Sequence, residues 1–241
     1  MDHFSPSAAC AEFAADLSYD SIPPEALDLI RRDILDWTGC ALAGSRDRAA
    51  VPIQKTAELL GGKAEASVFG NRDKTDLRTA AMENGYFGHI FEMDDVDRES
   101  ISHPATVVMP GAMALGEWQK KTGREVLTAI VAGFEVMLRI GAAITPAHYA
   151  IWHTTSTAGV FGAAAASGRM LGLTNQRRHP RLRFMAIQSG RRDEQIPSRR
   201  ECGRERHPRV TYGSERIFRR HAYSRGEAGL FRGLRKAERE F

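Results

Sequence analysis

Hydrophobic residues recur at alternating steps of three and four along much of the first 176 positions, a spacing that is typical of one face of an α-helix. The clearest instance follows the pair Pro23-Pro24 and comprises Leu27, Ile30, Ile34, Trp37 and Ala41. Proline is tolerated in the first turn of a helix, and glycine commonly ends one. We therefore expect a helix that opens at Pro23-Pro24 and stops at Gly44.

The remaining elements are predicted from the same periodicity and from capping signals. Asp76 can cap a helix that continues through Leu77 and Ala80, and Thr122 with Glu125 forms a capping box ahead of another. Helices are also expected over four further ranges: 7–17, 49–60, 106–118 and 155–171. With one short extended piece at residues 66–69, this part of the chain is predicted to be an all-α helical bundle.

Between two apolar helical segments lies a stretch, from Asn84 to Pro110, that is rich in ionisable side chains. The fifteen consecutive positions 89–103 include five carboxylates and two imidazoles, namely His89, Glu92, Asp94, Asp95, Asp97, Glu99 and His103. Loops held by a rigid scaffold often carry function. We therefore predict that this stretch is an active-site loop.

The cysteines and the hydropathy restrict the class of protein. Cys10, Cys40 and Cys202 lie far apart with no Cys-x-x-Cys pair, which argues against an iron–sulfur cluster, a zinc knuckle or a disulfide framework. We find no signal peptide and no continuous apolar run of membrane-spanning length. The expectation is a cytoplasmic protein without a membrane partner.

Four segments, taken in order, resemble the MmgE/PrpD family, which includes 2-methylcitrate dehydratase and cis-aconitate decarboxylase. They are ILDWTGCALAG, N-G-x3-H-x2-E-x-D-D, HPATVVMPGAMALGE and HTTSTAGVFGAAAA-x4-LGL. The resemblance is collinear over about residues 7–176. It implies a large helical domain, a smaller α+β lid domain, a homodimer, and lyase chemistry that needs no iron–sulfur cluster or other cofactor.

The resemblance also implies which side chains line the active site, namely Glu92, Asp94, Asp95, His103 and His153. The two histidines of this set are the acid and base candidates, since imidazole titrates near neutral pH. The adjacent aspartates could orient an imidazole or share a proton, and could equally cap the next element. We assign His89 to substrate binding.

A metal site is the alternative interpretation of the same loop. His89 and Glu92 would lie one helical turn apart if that segment stayed helical, and Asp95 with His103 could complete an N/O site. The resemblance implies the opposite, a reaction without metal, and we predict none. A polycarboxylate substrate would be repelled by so many acids, so the loop carboxylates must be hydrogen-bonded, neutralised or turned away from it.

The functional expectation is a hydro-lyase that acts on 2-methylcitrate or a related small polycarboxylate. Removal of water or CO2 from such an acid requires a base near a carbon next to a carboxylate and an acid for the leaving group or the product carbon. Decarboxylation or epimerisation of a similar acid is the alternative within the family. Glu92 and Val96 depart from the family's pattern and leave the substrate open.

Charge changes abruptly at residue 177. Residues 1–176 carry 15 Lys and Arg against 22 Asp and Glu, whereas residues 177–241 carry 19 against 8. This basic segment would suit a nucleic-acid-binding arm, but it has a single lysine and no repetition. Its codons can be chosen so that a frame starting at each second base reads as a family-like continuation that includes GFSGATRILEG.

We therefore expect two parts in the chain. Residues 1–176 are predicted to form the helical domain, and residues 177–241 to be an out-of-frame, disordered tail. The lid domain would then be largely missing and the activity impaired. A non-catalytic nucleic-acid-binding protein that uses the basic tail is the rival from another class, and we expect nucleic acid not to be a partner.

Overall fold

The computed structural model describes residues 6–71 and 73–173, and the predicted tail at residues 177–241 lies outside them. The described part contains seven α-helices: α1 Pro6–Asp16, α2 Pro24–Gly44, α3 Val51–Leu60, α4 Leu77–His89, α5 Pro104–Trp118, α6 Gly123–Ile144 and α7 Thr154–Met170. Strands β1, Ala66–Ser67, and β2, Lys74–Thr75, pair in an antiparallel ribbon. The prediction of an all-α bundle is confirmed.

The core lies around helix α5, which packs against α4, α6 and α7. Its Val108 and Met109 are fully buried beside Ile130 and Met137 of α6. Helix α2 adds Trp37, which is also fully buried. Burial of each such large apolar side chain contributes about 1.5–3 kcal/mol, so α5 is held on several sides before any polar contact is counted.

Glycines allow the helices to approach closely. A Cβ atom at Gly88 of α4 would overlap the indole of Trp37, and one at Gly44 of α2 would overlap the backbone of Phe87. A Cβ at Gly162 of α7 would lie 2.7 Å from the carbonyl oxygen of Gly133 in α6. The Ala/Gly-rich helix α7 therefore packs tightly against α6.

The predicted caps are present. Asp76 Oδ1 accepts hydrogen bonds from the N–H groups of Arg78 and Thr79, at 3.2 and 3.5 Å, and so opens α4. At the start of α6, Thr122 N–H donates to Glu125 Oε2 at 2.8 Å while Glu125 N–H donates to Thr122 Oγ1 at 3.3 Å. Each cap satisfies backbone donors that the first helical turn leaves unpaired.

Helix α6 is long and apolar, with 22 residues. Among the described residues it is the one helix that meets the length and hydropathy of a membrane span. Of the apolar 18-residue stretch of α6 that meets this test, 61% is buried inside the bundle. Glu135 also lies buried within the helix and pairs with Arg139. These are the properties of a core helix, since a core helix passes the same test of length and composition.

Candidate active site

The stretch from Asn84 to Pro110 is shorter as a loop than predicted. Helix α4 continues to His89 and helix α5 begins at Pro104, so residues 90–103 alone connect them. His89 is the last residue of one helix, and His103 immediately precedes the next. These two of the three predicted site histidines therefore lie at the ends of rigid elements.

The connection is anchored to the bundle. Asp97 and Ser102 exchange two backbone hydrogen bonds, of 2.9 and 3.2 Å. Ser100 and Ser102 are fully buried and their hydroxyl oxygens lie 2.6 Å apart. Thr145, at the end of α6, donates to the carbonyl oxygen of Ser100 at 3.1 Å. These bonds fix the loop that carries the acidic residues.

Close contact between α4 and α5 brings the two histidines together. Thr106 Oγ1 donates to the carbonyl oxygen of Gly85 at 2.6 Å. A Cβ at Gly85 would lie 3.0 Å from the carbonyl oxygen of Thr106, so a larger residue would push the helices apart. The rings of His89 and His103 meet edge to face, with centroids 4.8 Å apart.

Asp94 lies between these two imidazoles. Its side chain has no solvent exposure, and Oδ1 and Oδ2 accept from Nδ1 of His89 at 2.9 and 3.1 Å. Oδ1 also lies 3.6 Å from Nδ1 of His103. A buried carboxylate is costly unless a cation or hydrogen bonds compensate it. Asp94 can therefore orient both rings.

Asp95 has a different role from its neighbour. Its two carboxylate oxygens accept from the N–H of Ala105 in the first turn of α5, at 3.0 and 3.2 Å. Burial, followed by the charge of Asp33, raises the pKa of Asp95 well above its ordinary value, although the hydrogen bond from Ala105 lowers it. The sequence left two roles open for this aspartate pair, orientation of an imidazole and capping of a helix. Asp94 takes the first role and Asp95 takes the second.

His153 immediately precedes α7, and the first turn of that helix contacts the backbone of His103. The N–H of His103 donates to Thr155 Oγ1 at 3.0 Å, so the N-termini of α5 and α7 meet. His153 is exposed and its ring centroid lies 6.2 Å from that of Tyr149. It does not belong to the cluster of His89, Asp94 and His103, in which one ligand atom from each residue lies within 4.8 Å of the others.

Glu92 lies apart from this cluster, and the pairing with His89 considered in the alternative metal interpretation is not present. Helix α4 ends at His89, and Glu92 follows with a φ of 49° and an exposed side chain. The helical spacing that would have aligned His89 with Glu92 is therefore lost. Asp95 is engaged at the N-terminus of α5 and does not join His103.

Sequence reasoning missed the acidic face of α2. Burial and Asp36 raise the pKa of Asp33 to about 6, and Asp33 in turn raises the pKa of Asp95. Burial and the charges of Asp36, Asp94 and Asp95 raise the pKa of Cys40 on the same helix. The signal was available, because residues 33, 36 and 40 share one helical face.

Comparison with known proteins agrees with this architecture. Residues 8–188 match the MmgE/PrpD N-terminal domain, beyond the boundary predicted at residue 176. A protein named cis-aconitate decarboxylase-like protein oryM, from Aspergillus oryzae, is 30% identical over 177 residues, which are 70% of this chain and 37% of that protein. The cis-aconitate decarboxylase of Aspergillus terreus is 30% identical over 175 residues, 70% of this chain and 36% of its own length.

A more distant relative extends the same pattern. The human protein named cis-aconitate decarboxylase is 26% identical over 173 residues, which cover 66% of this chain and 34% of that protein. The chain thus spans about a third of the length of the curated relatives it matches. From the helical bundle and a match that covers most of its residues, the chain belongs to the MmgE/PrpD family.

Proposed function

We propose that the chain is the helical part of a lyase that acts on a small polycarboxylate. The observation that carries the proposal is the buried carboxylate of Asp94 between the imidazoles of His89 and His103. An imidazole beside a buried carboxylate can hold a proton and release it near neutral pH. His103 retains 21% exposure of its side chain, so a substrate can reach it.

Decarboxylation of a cis-aconitate-like acid is the reaction favoured by the names of the relatives. Loss of CO2 breaks a carbon–carbon bond and leaves its electron pair on the product carbon, which must receive a proton. The imidazolium of His103 supplies that proton, and the Asp94 carboxylate lies beside the ring. His89 holds the opposite side of the carboxylate and keeps it oriented.

Dehydration of 2-methylcitrate, expected from the sequence, is the second candidate. It requires a base to remove a proton and an acid for the departing hydroxyl, and the pair of imidazoles on one carboxylate offers both. Both reactions use the same side chains, so the analysis of products distinguishes them.

The surroundings suit an anionic substrate better than the number of acids suggests. Asp94 is covered by the two histidines, and Asp95 is hydrogen-bonded to α5. The N-termini of α5 and α7 meet beside them, and helix N-termini favour negative charge. We propose that exposed His153, at the start of α7, contacts a substrate carboxylate and acts as the further acid or base.

The test uses a chimera because the chain matches about a third of each relative. Residues 1–173 replace the corresponding segment of the Aspergillus terreus cis-aconitate decarboxylase, and NMR identifies products from cis-aconitate, citrate and 2-methylcitrate. We expect turnover of one of these acids, and His103→Gln should lower kcat by about 10²–10⁴-fold.

The matched control is His148→Gln, whose ring pairs with Thr157 and does not belong to the cluster of His89, Asp94 and His103. It should change kcat by less than about threefold, as expected for a residue outside the chemistry. A folded chimera that turns over none of the three acids, or one in which both variants are equally impaired, would refute the proposal. We also propose that the protein is cytoplasmic and forms a homodimer. Gel filtration of the same chimera tests the dimer.

A further inference from the structure

The cluster of His89, Asp94 and His103 also has the composition of a metal site. Among the described residues it is the one group of three potential ligands whose donor atoms lie within 4.8 Å of one another. Two imidazole nitrogens and a carboxylate oxygen form a mixed donor set that suits Zn²⁺, Cu²⁺ or Fe²⁺ better than Mg²⁺ or Ca²⁺.

Two buried polar groups in the cluster are not fully satisfied by hydrogen bonds or by permanent positive charge from the described residues. Nδ1 of His103 is buried and has no hydrogen-bond partner among the described residues. Among the described residues, the buried Asp94 carboxylate forms ion pairs with His89 and His103. None of its ion pairs there is with a lysine or an arginine. A positive charge nearby stabilises a buried carboxylate. Either an imidazolium or a metal cation can provide it.

The distances suit a small cation. Ligands at 2.0–2.2 Å from a tetrahedral ion lie about 3.3–3.6 Å from one another. The separation from Oδ1 of Asp94 to Nδ1 of His89 is 2.9 Å, that to Nδ1 of His103 is 3.6 Å, and the three donor atoms all lie within 4.8 Å of one another. Rotation of the side chains brings all three donors to one ion.

The site is also held in place and open to solvent. His89 and His103 occupy the ends of two helices joined by the Thr106–Gly85 hydrogen bond. Their side chains are 28% and 21% exposed, so an ion can enter while water completes its coordination. Three protein ligands with one position open is the arrangement of non-structural zinc sites.

We infer that His89, Asp94 and His103 bind one Zn²⁺ ion, or a similar divalent transition cation, as an inhibitory ligand. Binding needs only these three side chains. Inhibition rests on the proposed function, because the ion occupies the nitrogen lone pairs that would carry protons. A metal-loaded site and an active acid–base site are then mutually exclusive states of the same residues.

Titration of the full chain with Zn²⁺ against a chromophoric chelator tests the binding. We expect one equivalent that is lost, or weakened by at least about tenfold, in His89→Ala and in the isosteric Asp94→Asn. The control His148→Ala should retain that equivalent. Histidines and a cysteine also occur after residue 176, so the difference between variants, and not the total Zn²⁺ bound, decides the outcome.

An unchanged equivalent in the two ligand variants would overturn the inference, as would wild-type protein that binds no Zn²⁺. Circular dichroism checks that each variant folds. Should a ligand variant fail to fold, histidine NMR of the wild type decides, because Zn²⁺ must shift the ring signals of His89 and His103 before that of His148. Zn²⁺ binding without loss of chimera turnover would refute the inhibition alone and leave the lyase proposal intact.

Discussion

Asp94 lies between both imidazoles in a position without solvent contact. Its neighbour Asp95 has the same chemistry and adjoins it in sequence but points to the backbone of Ala105. The difference arises because α5 begins beside Asp95 and leaves unpaired N–H groups there. At the scale of single residues, function therefore depends on where a helix starts.

Asp33 provides a residue-scale prediction of stability against pH. Its pKa in the folded chain is raised to about 6 by burial and by Asp36, so the folded state binds the proton more tightly than the unfolded state. The stability contributed by the protonated form is present below about pH 4 and is lost as the pH rises toward 6. Asp33→Asn should therefore stabilise the chain by about 1–2 kcal/mol at pH 8 and have almost no effect at pH 4.

Urea unfolding at both pH values measures this difference. The control is Asp28→Asn on the same helix, where an exposed pair with Arg32 is removed and the change should stay below about 0.5 kcal/mol. An Asp33→Asn variant that is less stable than wild type at pH 8 would show that the carboxylate is favourable in the fold.

The density of imidazoles and carboxylates marked the stretch that holds His89, Asp94 and His103, and the family resemblance implied Asp94 and His103 as site residues. The three side chains do lie together. The shared helical face of residues 33, 36 and 40 was visible in the sequence, but the influence of Asp33 on Asp95 depends on how α2 crosses the loop and was therefore missed. Glu92 was placed beside His89 by helical spacing, and the end of α4 removed that spacing.

At the scale of elements, the crossing of α2 and α4 positions His89. Gly88 precedes this histidine and lies against the fully buried Trp37, whose indole leaves no room for a Cβ. Gly44 meets the backbone of Phe87 at the same crossing. Small residues at these two points allow α4 to approach closely enough for the site to form.

Gly88→Ala should therefore destabilise the chain by about 1–3 kcal/mol or more, because the added methyl group must displace Trp37 or the helix. Gly39→Ala is the matched control, since a Cβ there meets nothing within 4 Å. That variant should stabilise α2 by up to about 1 kcal/mol through helix propensity. Equal effects of the two variants in urea unfolding would contradict the close crossing.

The helices were predictable because their apolar periodicity and caps are local signals. The capping box of Thr122 and Glu125 and the Asp76 cap mark helix starts within a few residues. The ribbon was only half predicted, since Lys74–Thr75 has no strand pattern and pairs with Ala66–Ser67 through long-range contact. Helix α5 begins two residues earlier than periodicity indicated, at Pro104, because proline suits a first turn.

At the scale of the whole molecule, the match with relatives covers about a third of their length. The division at residue 176 falls outside the described residues, so the proposal that residues 177–241 are read out of frame rests on the sequence. The gene sequence around codon 176 tests it directly. We expect the frame offset by one base to encode the GFSGATRILEG-like continuation, and a coding sequence without that reading would refute the proposal.

The central claim is that His89, Asp94 and His103 together form the binding site for a small polycarboxylate. Histidine-selective NMR during a titration of the chain with cis-aconitate tests it most directly, with Asp94→Asn as the comparison. The account predicts saturable shifts of the His89 and His103 ring signals in the wild type, and weaker binding or altered shifts in the variant. Saturable binding that leaves both rings unperturbed, or no binding at all, would contradict it.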